Sequence, residues 1–399
     1  MGLNKLIELH QLARTEAGQY PLKRFLYERL EGDEGRHFTG IVGPRGAGKT
    51  VLLRQYAREH EDAFYFSADT LEADDDPWEI IRSLLEHFKY RTVLIDEAHF
   101  LEDTAGLLKR IYDFLRVRVI FSSSVALAMR ESAHDLSRRV RLLELRNFSY
   151  REYVAFKHGL HIPKLTIADL AERRWTPEHV RSGAWFDDYL LRGGLLPFAM
   201  EEPEPFQFLQ AIIEKVLARD IPSVARLKLD ELDRLRRLLR FVGRSGVDGI
   251  NYSSLSRNLG ITKYKAEQYV ACLEKAFILH RVLPEGTSVL REPKVLMAPP
   301  CRLLYREADE AIGGLREDFF VEAAQGAGIS CAYLKSTRGR KTPDYLVSGT
   351  ADRLVVEIGG KGKGRQQFKG IEIDRKLVLA HAPVPEKDRV PLYFAGYLA

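Results

Sequence analysis

Eight consecutive residues, Gly43-Pro44-Arg45-Gly46-Ala47-Gly48-Lys49-Thr50, fit the pattern G-x-x-x-x-G-K-[ST], with an apolar β-like run before them and a helical stretch after them. Residues of these types at this spacing bind phosphate. Glycines let successive backbone N–H groups turn inward, the following helix N-terminus adds the positive end of its dipole, and Lys49 has the reach to bridge β- and γ-phosphates. The Thr50 hydroxyl is a ligand for Mg²⁺. A second group, Thr92-Val93-Leu94-Ile95-Asp96-Glu97, is an apolar run that ends in two carboxylates. Asp96 suits a Mg²⁺ ion held through its water shell, and Glu97 suits the polarisation of an attacking water. The expected ligand is ATP with Mg²⁺, and the expected reaction is hydrolysis.

These groups need a scaffold, and the surrounding residues describe one. Between Phe38 and Leu145 short β-rich runs (FTGIV, AFYFSA, TVLIDEA, VRVIFSSS, VRLLELR) alternate with helical stretches after Lys49, from Pro77 to Lys89 and at LLKRIYDFL. That alternation predicts a parallel sheet covered on both faces. Asn4 to Arg14 and Pro21 to Leu30 read as helices leaning on it. After Asn147 the pattern turns helical through SYREYVAFKHG, ADLAERRW and WFDDYLLRGG to a helix from Phe206 to Arg219, which ends at Asp220-Ile221-Pro222. Compact helices and two short β-like runs follow, and another α/β module begins at Cys301. The expected division is residues 1–35 as N-terminal helices, 36–147 as the phosphate-binding core, 148–228 as a helical lid, 229–299 as a third module and 300–399 as a fourth.

Composition excludes several classes. A chain of 399 residues, 45% hydrophobic and 29% charged, has cores to build and is not a disordered polymer. The 61 Lys+Arg against 56 Asp+Glu leave +5, which permits nucleic-acid binding without demonstrating it. Cys272, Cys301 and Cys331 have no C-x-x-C spacing, so neither a disulfide framework nor a zinc site is written, and a reducing cytoplasm is expected. Runs of about 18 apolar residues and an apolar signal core are both missing, so neither a membrane nor export is expected. The histidines at His99, His158, His161 and His280 have no partner spacing for a metal.

The two phosphate-site motifs resemble those of the AAA+ superfamily, and the resemblance covers the first half of the chain. It implies that Phe121-Ser122-Ser123-Ser124 ends the strand between the two motif strands, with Ser122 or Ser123 sensing the γ-phosphate. It also implies that Arg139, next to Arg138, is an arginine finger given to a neighbouring subunit, so that the active species is a homo-oligomer such as a ring. Arg192 is the implied second sensor on the lid. Taken with S-Y-R-E-Y, the turn from Gly193 to Pro197 and Arg219-Asp220-Ile221, nearly the whole chain resembles archaeal and bacterial AAA+ ATPases. That family carries a winged-helix segment and a C-terminal domain related to PD-(D/E)xK nucleases. The implied fold class is α/β: a P-loop AAA+ parallel sheet with helical lid, a winged helix, and a restriction-endonuclease-like α/β domain.

The residues of the third module support that reading. Leu232, Leu235, Leu238, Leu239 and Val242 form an apolar stripe. A short helix then ends at Gly260, another opens at Ile261-Thr262-Lys263, and apolar runs follow near Val282 and Val295. A DNA-reading version puts Thr262, Lys263, Tyr264, Lys265 and Gln268 in the major groove, with Arg257 and Arg291 on phosphates; the alternative is a protein-contacting winged helix. In the last module, Glu322 on a helix, Pro343-Asp344 and Glu357 look like the acidic positions of PD-(D/E)xK nucleases, which gather carboxylates around Mg²⁺. The pattern needs a lysine two residues after the glutamate, and Gly359 stands there; Lys361 or Lys363 would have to swing back. A retained but non-cleaving fold is expected, with Lys361, Lys363, Arg365 and Lys369 suited to phosphate.

These readings add up to a homo-oligomeric, cytoplasmic Mg-ATP-hydrolysing AAA+ protein that binds and remodels DNA, branched or junction DNA included. The alternatives are an ATP-gated DNA nuclease and a signal-transduction switch with protein partners.

Overall fold

The computed structural model describes residues 2–32, 36–124, 138–193, 203–224, 229–246, 249–286, 292–334, 342–349, 353–360, 366–368, 373 and 375–398. They form two compact units: residues 1–146 with 214–226, and residues 147–213 with 227–399. No helix among the described residues is long and apolar enough to cross a membrane.

In the first unit five strands, β1 (Phe38–Val42), β2 (Ala63–Ser67), β3 (Thr92–Asp96), β4 (Arg118–Ser123) and β5 (Val140–Glu144), pair in parallel in the order β2-β3-β4-β1-β5. Every residue of β1 and β3 is buried, as continuous apolar runs in a covered parallel sheet require. α1 (Leu3–Glu16), α2 (Leu26–Glu31) and α3 (Lys49–Glu59) cover one face: Ala13, Leu26, Tyr27, Leu30, Leu52 and Leu53 share a core with Ile41, Leu94, Ile120 and Leu143. α4 (Pro77–Phe88) starts on the Asp76 carboxylate, which accepts from Trp78 N at 2.9 Å, and α5 (Thr104–Phe114) starts on Asp103, which accepts from Gly106 N at 2.8 Å. β4 lies between β1 and β3, so the ends of both motif strands and the serines of β4 emerge at one edge of the sheet.

In the second unit α6 (Tyr150–His158) opens on a capping box between Ser149 and Glu152, and α7 (Ile167–Glu172) and α8 (Pro177–Ser182) follow. After α9 (Pro205–Lys215) come α10 (Leu229–Arg244), α11 (Tyr252–Leu259) and α12 (Lys263–Lys275). Gly260, at a φ of 63°, makes the left-handed turn between α11 and α12. An antiparallel ribbon, β6 (Leu279–Pro284) and β7 (Lys294–Met297), precedes the long α13 (Ala308–Gly326). β8 (Ser330–Tyr333), β9 (Tyr345–Ser348), β10 (Arg353–Gly359), β11 (Lys376–Ala380) and β12 (Val390–Pro391) complete a seven-stranded mixed sheet in the order β12-β11-β10-β9-β8-β6-β7.

This partition differs from the expected boundaries at 148–228, 229–299 and 300–399. Tyr150, Tyr153, Phe186 and Tyr189 share one core with Phe319 of α13, Val356 of β10 and the C-terminal Tyr393 and Tyr397. The ribbon strand β6 also pairs in parallel with β8, at Leu283 with Ala332 and Pro284 with Tyr333, so the third and fourth modules share a sheet. The physical reason is that an apolar helix face specifies burial, not which sheet it covers.

A buried ion pair ties the unit together. Arg302 and Asp318 are 1% and 0% exposed; Arg302 NH2 donates to Asp318 Oδ1 at 3.1 Å, and Arg302 NH1 donates to the carbonyls of Val242 and Ser245 at 3.2 Å. Met297 N completes the carboxylate at 3.1 Å, so α10, β7 and α13 meet on one pair. Burial raises the Asp318 pKa and the Arg302 charge opposes that rise. Arg302→Met strands the carboxylate and is expected to cost about 3–5 kcal/mol. Thermal unfolding should show a fall of about 10 °C in the midpoint, and Arg302→Met/Asp318→Leu should recover part of it.

Candidate nucleotide site

The loop between β1 and α3 is shaped by its glycines and pressed against the end of β5. Gly46 and Gly48 have φ of 83° and 94°, conformations that residues with a Cβ rarely adopt. A Cβ on Gly43 would stand 2.0 Å from the Leu145 carbonyl oxygen, so the loop backbone leaves room for glycine alone there. The buried Arg24 holds the loop from outside, donating to the Ala47 carbonyl at 2.5 Å and the Arg146 carbonyl at 2.8 Å. Inside it, Lys49 is 4% exposed and its Nζ donates to the Gly43 and Pro44 carbonyls, each at 2.9 Å. Burial pulls the Lys49 pKa below the usual 10.5, while Glu97, Asp96 and Asp220 act in the opposite direction.

Asp96 is buried at the end of β3. Its Oδ1 accepts from the Ser122 hydroxyl and from Glu97 N at 3.2 Å, and its Oδ2 accepts from the Tyr65 hydroxyl at 2.9 Å. Burial, then the Asp96 charge, pushes the Tyr65 phenol well above its ordinary range, so Tyr65 is a donor here. Glu97 is left-handed, with φ 49° and ψ 43°, an uncommon state for a residue with a Cβ. The turn brings its N–H onto Ser122 Oγ at 3.0 Å. Its carboxylate lies 3.6 Å from Arg45 NH1 and 3.3 Å from His99 Nδ1. Burial holds the His99 pKa down to about 4, so the imidazole is neutral and its contact with Glu97 is not an ion pair. Ser123 Oγ is 3.3 Å from His99 Nδ1, and Ser124 donates to Asp220 Oδ2 at 3.3 Å.

A carboxylate has about four acceptor sites, and Asp96 Oδ2 accepts one hydrogen bond, so an acceptor position remains for a water on a metal ion. Thr50 opens α3 next to Lys49. One or two protein oxygens with waters and phosphates are what Mg²⁺ asks of a protein, and Thr50 and Asp96 fit that demand. Residues 35–154 match the family model described as "AAA domain". This segment is similar to AAA domains. Residues 183–298 match a second model, described as a domain of unknown function. "Uncharacterized protein MJ1637" of Methanocaldococcus jannaschii is 27% identical over 395 residues, covering 88% of this chain and 83% of that protein. The Walker-type ATPase of Pyrococcus abyssi superposes at a TM-score of 0.42 and 16% identity over 70% of this chain and 94% of that one. The ORC1 protein of Aeropyrum pernix, solved in complex with DNA, gives 0.30 and 16% over 77% and 92%.

The first unit thus brings together Gly43 to Thr50, Asp96, Glu97, Ser122 and Ser123 at the carboxyl edge of its sheet. Arg139 stands elsewhere on it, forked onto Asp113 at 3.0 and 3.1 Å and lying over the Tyr112 ring. Arg192 is on the turn Tyr189–Gly193 of the second unit, exposed and 3.3 Å from Asp188. At the start of α12 the Thr262 side chain caps the helix by accepting from Lys265 N, while Tyr264, 67% exposed, and Arg257 face solvent. Lys263 pairs with Glu292 and Lys265 with Glu231, so both cations expected in the major groove already have carboxylate partners. Gln268 is half-buried on α12, and Arg291 lies outside the described residues.

The expected acidic group of the last module is split. Val356↔Tyr345 pairing places Asp344 across from Glu357, and Asp344 Oδ2 accepts from Ile358 N at 2.7 Å. Glu322 does not join them. Glu357 shares its side of β10 with Val355, which packs with Leu346 and Val378, whereas α13 packs on the side of Tyr345 and Val356. Glu322, on α13, is 3.3 Å from His280 Nε2 on β6. Lys361, with Lys363, Arg365 and Lys369, lies outside the described residues. Among the described residues no three His, Cys, Asp or Glu side chains gather as a metal site.

Sequence reasoning missed Arg24, Tyr65, His99 and Asp220 as parts of this site. Single residues of these types carry no pattern; for Asp220 the signal was the break of the helix expected from Phe206 at Asp220-Ile221-Pro222. His99 and His10 are both held to about 4, by burial first, against the usual 6.5. As pH falls from 6.5 toward 4 the unfolded chain takes up protons that the folded unit refuses, so stability present above pH 6.5 is lost across that window. His99→Gln is therefore expected to narrow the difference between thermal midpoints measured at about pH 7.5 and about pH 5.

Proposed function

We propose that the first unit of this chain binds ATP with Mg²⁺ and hydrolyses it. The observation that carries the proposal is the convergence of a buried Lys49 ammonium, the Asp96–Ser122 pair and the Glu97 carboxylate at one edge of a parallel sheet. Lys49 exchanges its two carbonyl acceptors for phosphate oxygens, and the inward N–H groups of the glycine loop and of α3 complete the cradle. When bound, Mg²⁺ supplies charge neutralisation on the phosphates, with Thr50 and Asp96 to hold it. Glu97 accepts a hydrogen bond from the attacking water, and Ser122 or Ser123 registers the γ-phosphate.

Arg139 is the group proposed to reach the nucleotide of a neighbouring copy in a homo-oligomer, which requires that it leave Asp113. DNA is the proposed partner, engaged through the exposed Arg257, Thr262 and Tyr264 of a winged helix formed by α10 to α12 and the β6–β7 ribbon. One observation favours a second reading, a switch whose winged helix touches protein: Lys263 and Lys265 are already neutralised by Glu292 and Glu231.

Steady-state ATP hydrolysis with and without single-stranded, duplex and four-way junction DNA tests these readings. Lys49→Ala is expected to lose nucleotide binding. Glu97→Gln is expected to keep binding and lose about 10²-fold or more in kcat. Stimulation by one DNA form, weakened by Arg257→Ala/Lys263→Ala, supports the DNA partner. Hydrolysis that no DNA alters moves the reading to the protein-contacting switch, and no Lys49-dependent hydrolysis at all overturns the proposal.

A further inference from the structure

Asp220 is fully buried in the first unit, although the chain on both sides of its segment, 214–226, belongs to the second. Its Oδ2 is 3.2 Å from Arg45 NH1, and the same nitrogen is 3.6 Å from Glu97 Oε1. One arm of the guanidinium therefore stands between two carboxylates, that of Glu97 and that of the returning segment. Ser124, at the end of β4, fixes Asp220 from a second direction at 3.3 Å. The neighbouring Arg219 lies over the Phe100 ring at 4.5 Å, which seats the segment on the turn Ala98–Phe100 directly after Glu97. A buried carboxylate demands its counter-charge and a guanidinium is a rigid fork, so where Asp220 sits decides where Arg45 can point.

We infer that Asp220 is a positioning residue for hydrolysis: by sharing Arg45 it keeps that guanidinium from closing on Glu97 and leaves the Glu97 carboxylate available to the attacking water. The inference rests on the nucleotide reading above. The charged and titratable groups around Glu97 are Arg45 and Lys49 of the loop, Asp96 before it, His99 after it, and Asp220. Asp220→Asn keeps the shape and removes one anion, so the full Arg45 charge falls on Glu97. A guanidinium closed on Glu97 occupies the oxygens that would otherwise accept from the attacking water. Removing Arg45 as well takes that cation away.

The experiment measures kcat and KM for ATP in the full-length wild type, Asp220→Asn and Arg45→Gln/Asp220→Asn, with Lys49→Ala as control. Asp220→Asn should lower kcat about 10-fold or more while KM changes little, and the double variant should recover part of that loss because no guanidinium is left to close on Glu97. A packing role alone would not be relieved by a second substitution. Wild-type kcat in Asp220→Asn, or a double variant no faster than Asp220→Asn, overturns the inference while leaving the nucleotide reading intact. A wild type without Lys49-dependent hydrolysis overturns both. Should Asp220→Asn not fold, Asp220→Ser carries the same test against Arg45→Gln/Asp220→Ser: a double variant faster than the single supports the inference, and one no faster overturns it.

Discussion

Lys49 is a buried cation before any phosphate reaches it, and the arrangement of the first unit around it follows from that cost. An ammonium at 4% exposure needs acceptors, and the Gly43 and Pro44 carbonyls supply them because the loop turns back over its own helix. The carboxylates of Asp96, Glu97 and Asp220 supply the charge. Two of these acids are held in turn: Asp96 by Ser122, Tyr65 and the Glu97 backbone, and Asp220 by Arg45 and Ser124. The cluster is thus a mutual solution, in which no charge could be buried without the others. Any anion that took Lys49 from its carbonyls would alter the electrostatics of all three acids.

The two units are connected by the chain at three places. The chain passes between the units at residues 146–147, 213–214 and 226–227. The last two passages bracket Asp220, so the segment that carries it is covalently continuous with the second unit in both directions. Within that unit α6 and the turn at Tyr189 are part of the core of the C-terminal sheet, and Arg302 and Asp318 lock α10 to α13. Helices built into a sheet core move with that sheet, because packed interiors transmit displacement instead of absorbing it.

The sheet of the first unit and its phosphate motifs were legible in the sequence because both signals are local. FTGIV and TVLIDEA are short apolar runs that a covered parallel strand must have, and β1 and β3 occupy them at Phe38–Val42 and Thr92–Asp96. A glycine loop followed by lysine carries its geometry in eight residues. What could not be read is non-local. Nothing in SYREYVAFKHG says that Tyr150 and Tyr153 meet Tyr393 and Tyr397, and nothing near Asp220 says that its partner lies at Arg45. The misplaced Glu322 has the same origin: its helix was expected, but the face of the sheet it covers is a tertiary fact, and the pleat then separates it from Glu357.

Charge pairing bears on what the second unit can hold. Among the described residues, four cations of α12 and the β6–β7 ribbon have carboxylate partners. Lys263 and Lys265 of α12, Arg281 of β6 and Lys294 of β7 face Glu292, Glu231, Glu274 and Glu317. A phosphate backbone approaching α12 must compete with carboxylates that are already in place, so each contact exchanges one anion for another instead of filling a vacancy. Exchange yields less free energy per contact than neutralising an unpaired cation, and added salt weakens it further. Affinity built on such exchange is conditional. A ligand that presented several phosphates in fixed geometry would have to displace these carboxylates as a set, next to the exposed Tyr264 and Arg257.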